Sequence, residues 1–193
     1  MAVDFAFRQR AVRSLTNNIG VYILCDLDGV PIYVGQSTDG IRSRVSRHLT
    51  SARSDIIANR QIDVWEIAYV WAFPVQSRHE ITPLEARLFA HYNAQSQLMN
   101  GAMMTHVDDA TPLPEPAQAV QVMSNHEIQE RLDPSVRLPR QAQHYAQIVG
   151  HFLAVKNSPQ VARAMNAHFQ RLQKYHATLL GIAEPIPDDV VED

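Results

Sequence analysis

The stretch that decides the fold is GVYILCDLDGVPIYVG, residues 20–35. Two β-rich runs flank the turn sequence DLDG within it. An Asp-Gly pair between two such runs predicts a tight β-hairpin, because glycine tolerates the positive φ that the turn needs. Tyr22 and Tyr33 then lie on neighbouring strands, where facing side chains come within contact range.

The segment after the hairpin predicts a helix over residues 41–51. Ile41, Val45 and Leu49 recur at four-residue spacing and form its apolar stripe. Arg44 and His48 are also four residues apart, so they share one face of this helix. Because the helix follows the strand that carries Tyr33, we expect that face to look across at the two phenols.

Glu85 lies in a second predicted helix, which starts at Thr82. Thr82 is a good N-cap, Pro83 suits the first helical position, and Glu85 falls at the third, which is the pattern of a capping box. A capping role competes with the alternative role of holding a cation. A carboxylate folded back on the Thr82 backbone N–H has less capacity left for a metal ion.

In this order, the residues resemble the GIY-YIG nuclease family over about residues 18–101. The first family tripeptide is similar to residues 20–22, with valine in place of isoleucine, and the second to residues 33–35. Arg44 and His48 are similar to the family's helix arginine and to the His/Tyr position one turn later. Glu85 resembles the metal-binding glutamate.

Some positions depart from the family pattern or leave it open. Gln36 stands where many relatives carry a lysine, which removes one phosphate-contacting charge. Arg42 competes with Arg44 for the arginine position, and Arg44 is preferred because it shares a face with His48. Asn100 resembles the family's terminal asparagine, and Asn93 is the competing assignment.

The resemblance implies a metal-dependent DNA endonuclease that hydrolyses phosphodiester bonds with one metal ion. Tyr22 would take a proton from water, which requires nearby positive charge to lower its pKa from about 10, and Arg44, Arg42 or the metal ion could supply that charge. Tyr33 would orient water or phosphate, Arg44 would stabilise developing negative charge, and His48 would share that role or shuttle a proton. Glu85 would bind Mg²⁺ or Mn²⁺. Supporting positions implied by the same resemblance are Gly20, Gly35 and Asn100.

The fold predicted for this domain is α+β, a small three-stranded mixed sheet flanked by helices, with a C-terminal α-helical accessory region. The expected division is a nuclease domain with an N-terminal helix over residues 1–101, a Pro-rich acidic linker over 102–123, helices over 124–183 and an acidic tail over 184–193. Within the helical region, Arg140 to Val155 and a helix opened by Ser158-Pro159 form a hairpin. We expect this hairpin to pack on the nuclease unit or on a second copy of itself, as a homodimer.

The net charge of −3 is unevenly distributed along the 193 residues. Residues 42–60 hold five arginines against one aspartate, and residues 137–183 hold six basic residues and no acid. Local potential governs phosphate binding, so this segregation predicts two basic surfaces on an acidic molecule. The predicted nucleic-acid contacts are Arg42, Arg47, Arg53, Arg140, Lys156, Arg163, Arg171 and Lys174.

Other features bound the class of protein. No apolar run is long enough to span a bilayer, and no secretory leader is recognised. The single cysteine, Cys25, excludes a disulfide within the chain and favours a reducing, cytoplasmic setting. RNA is an alternative substrate to DNA. The alternative functions are a catalytically silent nucleic-acid-binding module and a protein-interaction domain that uses the C-terminal hairpin.

Overall fold

A four-stranded sheet organises the molecule. The computed structural model describes residues 4–50, 60–102, 104 and 112–182. The strands are β1 (Gly20–Cys25), β2 (Pro31–Ser37), β3 (Tyr69–Pro74) and β4 (Gln118–Gln121), in the spatial order β2-β1-β3-β4. All three pairings are antiparallel. The α+β class with flanking helices is confirmed, whereas the prediction of three strands in a mixed sheet is wrong.

The strand that the prediction missed is β4, which lies inside the segment assigned to the linker. Its residues pair with β3 from Tyr69↔Gln121 to Ala72↔Gln118. The pairing is extended by a hydrogen bond from the Ala117 N–H to the Ala72 carbonyl, 3.0 Å long. Only four residues make this edge strand, too few to give a clear alternation of polar and apolar positions.

The predicted division into domains stays a prediction.

Helices cover both faces of the sheet. On one face, α1 (Phe5–Ser14) and α2 (Ile41–Thr50) pack against a core that contains Tyr22 and Leu24. On the other face, α3 (Ile81–Gln95) packs its Leu88 and Phe89 against Val21, Ile23 and Cys25. Short 3₁₀ helices at Val64–Glu66 and Arg78–Glu80 precede β3 and α3. Alternate residues of β1 therefore enter different cores, which fixes Tyr22 on the α1–α2 side.

The hairpin turn forms as predicted, and its first aspartate holds it. The Asp26 carboxylate accepts hydrogen bonds from the backbone N–H groups of Asp28 and Val30 at 3.0 and 2.9 Å. Gly29 has a φ of 77°, which other residues adopt only with strain. Asp26 is itself buried at 1% exposure. A buried carboxylate needs a positive partner, and that partner comes from the C-terminal helices.

Three further helices complete the described chain: α4 (Asn125–Leu132), α5 (Pro134–Ala154) and α6 (Pro159–Leu180). The predicted starts of α4 and α6 are confirmed, because Ser124 and Ser158 each accept a backbone N–H at the N-cap. Helix α5 begins six residues before the predicted Arg140, since Asp133 caps it and Pro134 occupies its first turn. None of the described helices is both long and apolar enough to cross a membrane.

The C-terminal helices dock on the sheet through ion pairs. Arg137 contacts Glu66 and Asp28, each at 2.8 Å, and Arg140 contacts Asp63 at 3.0 Å. Arg171 pairs with Asp26 of the hairpin turn. We call Arg137, Arg140 and Arg171 the interface arginines. Their partners explain why the basic helical region packs on the nuclease unit, one of the two expected arrangements.

Candidate catalytic site

Tyr22 and His48 form the centre of the site. Tyr22 is fully buried on β1, and His48 is 1% exposed on α2. The apolar stripe of α2 turns His48 toward the sheet, where the Tyr22 Oη lies 2.6 Å from His48 Nε2. The predicted convergence of the first tyrosine with the helix histidine is therefore present as a direct hydrogen bond.

Tyr33 completes a cluster of three rings with Tyr22 and His48, which we call the aromatic triad. Tyr22 is paired with Gly35 and Tyr33 with Leu24, so the tyrosines are diagonal rather than direct neighbours on the two strands. The ring centroid of Tyr33 is 6.3 Å from that of Tyr22 and 6.3 Å from that of His48. Tyr33 is half-buried, so it reaches from the triad toward solvent.

Gly35 explains why the second tripeptide ends in glycine. A Cβ at this position would lie 2.4 Å from the Tyr22 Oη and 2.7 Å from a ring carbon of Tyr33. These distances are shorter than any van der Waals contact between the atoms. The missing side chain therefore leaves room for the Tyr22 hydroxyl beside its cross-strand neighbour.

Arg44 is the arginine that acts on the triad. Its guanidinium opposes the rise in the Tyr22 pKa and contributes to the low pKa of His48. Its Nε is buried and has no hydrogen-bond acceptor within the described part of the chain. Arg42, the rival candidate, instead donates from Nη1 to the Arg13 carbonyl at 3.2 Å, on the side of α2 that faces α1.

Burial sets the protonation states of the triad. It raises the pKa of Tyr22 well above its ordinary value, helped by Tyr33 and Glu85 and opposed by Arg44. Burial, followed by Arg44 and Arg47, lowers the pKa of His48 to about 4. Near neutral pH the pair is a phenol beside an uncharged imidazole. Desolvation outweighs Arg44, so Arg44 alone does not bring the Tyr22 pKa below its ordinary value. Lowering of this pKa by a bound metal ion stays a prediction.

Glu85 is a buried carboxylate in the second turn of α3, with 7% exposure. The predicted capping box of Thr82 and Glu85 is wrong. A capping box forms five residues earlier, between Ser77 and Glu80 of the short 3₁₀ helix, and Glu80 is the N-cap of α3. Glu85 is thus released from the competing structural role.

The surroundings of Glu85 suit a hard divalent ion. Within residues 4–50, 60–102, 104 and 112–182, no hydrogen bond or ion pair neutralises its carboxylate. Burial alone raises its pKa to about 7. No group of three or more His, Cys, Asp or Glu side chains in the same ranges could hold a metal ion. One carboxylate completed by waters and substrate oxygens is a common Mg²⁺ arrangement, so the donor set fits Mg²⁺ or Mn²⁺.

Asn100 supports the second tyrosine strand. Its side-chain oxygen accepts from the Val34 N–H at 3.1 Å, and its Nδ2 donates to the Val34 carbonyl at 2.6 Å. Asn93, the competing assignment, accepts from the Leu98 N–H at 3.2 Å and from Arg163. Asn100 therefore holds residues 33–35 directly, whereas Asn93 holds the end of α3.

The predicted nucleic-acid contacts separate into two groups. Arg42 and Arg47 lie on α2 near the triad, and Arg53 lies outside the described residues. In contrast, Arg140 and Arg171 are interface arginines, and Arg163 donates to Asn93 and lies 5.6 Å from the centroid of the Phe89 ring. These three side chains are engaged within the protein, which corrects the prediction of a second basic surface. Lys156 is exposed in the connection between α5 and α6, and Lys174 is exposed on α6.

One polar feature beside the site was missed from the sequence. A groove of about 330 Å³ separates α1 from α2, and we call it the α1–α2 groove. It is lined by Gln9, Val12, Arg13, Arg42, Ser43, Ser46 and Thr50. The sequence did contain a signal for this groove, because α1 carries Arg8, Arg10 and Arg13 and no acidic residue. The sequence prediction for α1 was only an N-terminal helix of the nuclease domain.

The comparison with protein families agrees with this geometry. Residues 18–100 match the family model described as the GIY-YIG catalytic domain. The match confirms the resemblance, and it covers every residue placed in the site so far. No curated protein and no solved structure was found to match the chain. GIY-YIG domains are in general endonuclease domains that use divalent metals, so the match indicates nuclease activity.

Proposed function

We propose that this chain, which carries a GIY-YIG catalytic domain over residues 18–100, is a metal-dependent DNA endonuclease that hydrolyses phosphodiester bonds. The observation that carries the proposal is the 2.6 Å contact between the Tyr22 hydroxyl and His48, with Arg44 and Glu85 both close enough to act on the Tyr22 pKa. A binding module has no need for a buried phenol, an unsatisfied guanidinium nitrogen and an unpaired carboxylate in one place.

Proton transfer follows from the two protonation states. A phenol with a raised pKa is a weak base unless it loses its own proton as it gains another. The uncharged His48 Nε2 accepts the hydroxyl proton of Tyr22 in the tautomer with hydrogen on Nδ1. As a water attacks phosphorus, the Tyr22 oxygen takes the water proton while its own proton passes to His48. Tyr33, half-buried at the edge of the triad, orients that water.

Arg44 supplies the positive charge for the transition state. Attack on phosphorus places additional negative charge on the non-bridging oxygens, and preorganised donors stabilise it without reorganisation. Arg44 forms no ion pair within the described part of the chain, so no carboxylate there competes with a phosphate for its guanidinium. A guanidinium can bind two such oxygens at once, which lysine cannot do.

Glu85 would hold the divalent ion. Mg²⁺ or Mn²⁺, when bound, supplies Lewis-acid polarisation of the phosphoryl group. The raised pKa of about 7 means that the ion competes with a proton for this carboxylate. Cleavage at a fixed low metal concentration should therefore increase as pH rises through 7. Asn100 and Gly35 maintain the strand that presents Tyr33 and the space beside Tyr22.

The test is a cleavage assay on single-stranded, duplex and branched DNA, with an RNA arm, in Mg²⁺, Mn²⁺ or EDTA. We expect DNA cleavage that requires metal and is lost in both Glu85→Gln and Tyr22→Phe. Arg78→Ala, an exposed change outside the triad, is the matched control and should cleave normally. Salt-sensitive binding with no cleavage in any metal would contradict the enzyme and favour a silent binding module. Cleavage of RNA alone would contradict the DNA assignment.

A further inference from the structure

We propose that the α1–α2 groove binds the phosphate backbone of the nucleic-acid substrate, so that the N-terminal helix extends the binding surface beyond the family-matched segment. The inference rests on the proposed function for the identity of the ligand. Helix α1 ends at Ser14, and the family-matched segment begins at residue 18. The wall of the groove that α1 forms therefore lies outside the matched segment.

Charge is the first observation. Helices α1 and α2 carry six arginines between them and no acidic residue. Arg8 is buried and donates to the Val122 carbonyl, so it belongs to the core. The other five arginines form no ion pair within the described ranges of the chain. Those five are Arg10, Arg13, Arg42, Arg44 and Arg47.

The lining of the groove is the second observation. Arg13 and Arg42 stand on opposite walls, joined by the hydrogen bond from Arg42 Nη1 to the Arg13 carbonyl. That bond uses one of five guanidinium N–H donors and fixes the position of the rest. Ser43, Ser46 and Thr50 line the same wall as Arg42. The hydroxyls of Ser43 and Thr50 donate to the Asn17 side chain and to the Ser46 carbonyl, so Ser46 is the hydroxyl donor that faces the groove. Guanidinium and hydroxyl donors are the side chains that contact nucleic-acid phosphates without reading sequence.

Continuity with the catalytic site is the third observation. On α2, Arg42 and Ser46 face the groove, whereas Arg44 and His48 face the triad. With 3.6 residues per turn, the exposed Arg47 lies between these two rows. A strand whose phosphate is held at Arg44 can therefore pass over Arg47 into the groove. Phosphates spaced along one backbone match this succession of positive charges better than a single small anion does.

The experiment measures binding separately from cleavage. Full-length Glu85→Gln protein in EDTA is titrated into a short fluorescein-labelled DNA duplex, and anisotropy gives the affinity at several KCl concentrations. Arg13→Ala and Arg42→Ala should each reduce the slope of log affinity against log salt by about 1, since each removes one phosphate contact. Arg10→Ala removes the same charge from α1 but does not line the groove, and it should leave the slope nearly unchanged.

Arg42→Lys separates phosphate binding from helix docking. It keeps the charge but not the guanidinium geometry, so the slope should stay close to that of the parent. A loss as large as that of Arg42→Ala would indicate a docking role and overturn the proposal. Equal losses from Arg10→Ala and Arg13→Ala, or none from Arg13→Ala, would overturn it as well. Groove-dependent binding by a wild-type protein that never cleaves would support the groove and contradict only the nuclease function.

Discussion

Two regions of the molecule are rich in arginine: helices α1 and α2, and the C-terminal helices α5 and α6. The regions are similar in composition, but only the arginines of α5 and α6 pair with acidic side chains in the described chain. Helices α2 and α6 both lack acidic residues. Arg171 of α6 is 8% exposed and pairs with Asp26, whereas Arg44 of α2 forms no ion pair with any described residue. The acids that neutralise α5 and α6 come from the turns beside the sheet. Charge along one helix therefore does not reveal which arginines serve stability and which remain available to a ligand.

The largest effect should come from the interface side. Arg137→Ala leaves the buried Glu66 without its partner, and an uncompensated buried charge costs about 3–5 kcal/mol in the free energy of unfolding. Urea denaturation measures this loss. Arg47→Ala, on the exposed face of α2, is the matched control and should change stability by less than about 0.5 kcal/mol. Similar losses for both variants would remove the distinction between the two regions.

The second prediction concerns the catalytic side. Arg44→Ala should lower the cleavage rate about 10²–10³-fold, which corresponds to about 2.7–4 kcal/mol of transition-state stabilisation. Arg44→Lys should not restore the rate, because lysine lacks the forked donor geometry. Single-turnover cleavage provides the measurement. Unfolding should be no easier than in the wild type, and an Arg44→Ala protein with lower stability but normal cleavage would assign Arg44 to the interface class.

A histidine pair tests the interface by pH. His144 of α5 and His168 of α6 have ring centroids 4.9 Å apart, and burial lowers the pKa of His168 to about 3 and also lowers that of His144. Asp63 favours the charged form of His144, whereas Arg140, Arg60 and Arg171 oppose charge on the pair. Uncharged histidines are required by the fold, so their contribution is complete above the unfolded pKa of about 6.5 and is lost as pH falls toward 3.

From that difference, the free energy of unfolding of the wild-type protein should fall between pH 7 and pH 5 by about 2 kcal/mol more than that of His168→Gln. Urea denaturation at the two values measures it. His168→Gln should reduce the fall, because glutamine does not titrate. Comparing the two proteins removes the opposite contribution of Glu85, whose raised pKa stabilises the fold as pH falls. The same pH dependence in the wild-type protein and in His168→Gln would contradict the burial of an uncharged pair in this interface.

The smallest effect is expected at Glu85. Burial raises the pKa of Glu85 to about 7, so the charged carboxylate opposes folding. The protonated carboxyl therefore contributes stability that is complete below pH 4.5 and is lost as pH rises through 7. Glu85→Gln should increase the free energy of unfolding at pH 8 by about 1 kcal/mol, a value reduced for screening of the carboxylate charge by solvent. The same substitution should have no effect near pH 4. Thermal unfolding at both values measures the change. Mg²⁺ should raise the wild-type melting temperature and leave that of Glu85→Gln unchanged.

Local rules predicted the parts of the site that lie close together in sequence. The hairpin turn, the stripe of α2 and the shared face of Arg44 and His48 depend on contacts within a few residues, and all are present. The predicted capping box of Thr82 and Glu85 failed because a second pair of cap residues, Ser77 and Glu80, lies five residues upstream and starts the helical segment there. Sequence alone cannot rank two such signals when tertiary packing sets the start of the helix.

Long-range pairing explains the remaining misses. Arg171 and Asp26 are 145 residues apart, so composition made Arg171 look available to DNA. Strand β4 depends on β3 more than on its own four residues. The Tyr22 pKa depends on how much protein surrounds the phenol, which no spacing rule supplies. The sequence predicted the surroundings of a residue correctly where its partner lies close in sequence. It failed where the partner comes from an element far away in the chain.

The bond between Arg171 and the Asp26 turn has a practical consequence for dissection of the protein. A fragment limited to residues 18–100 would keep Asp26, Asp63 and Glu66 but discard every guanidinium that compensates them. Three buried carboxylates would lose their positive partners, and one of them, Asp26, directly follows the strand that carries Tyr22. We therefore expect residues 18–100 not to fold stably alone, and biochemical work should begin with the intact polypeptide.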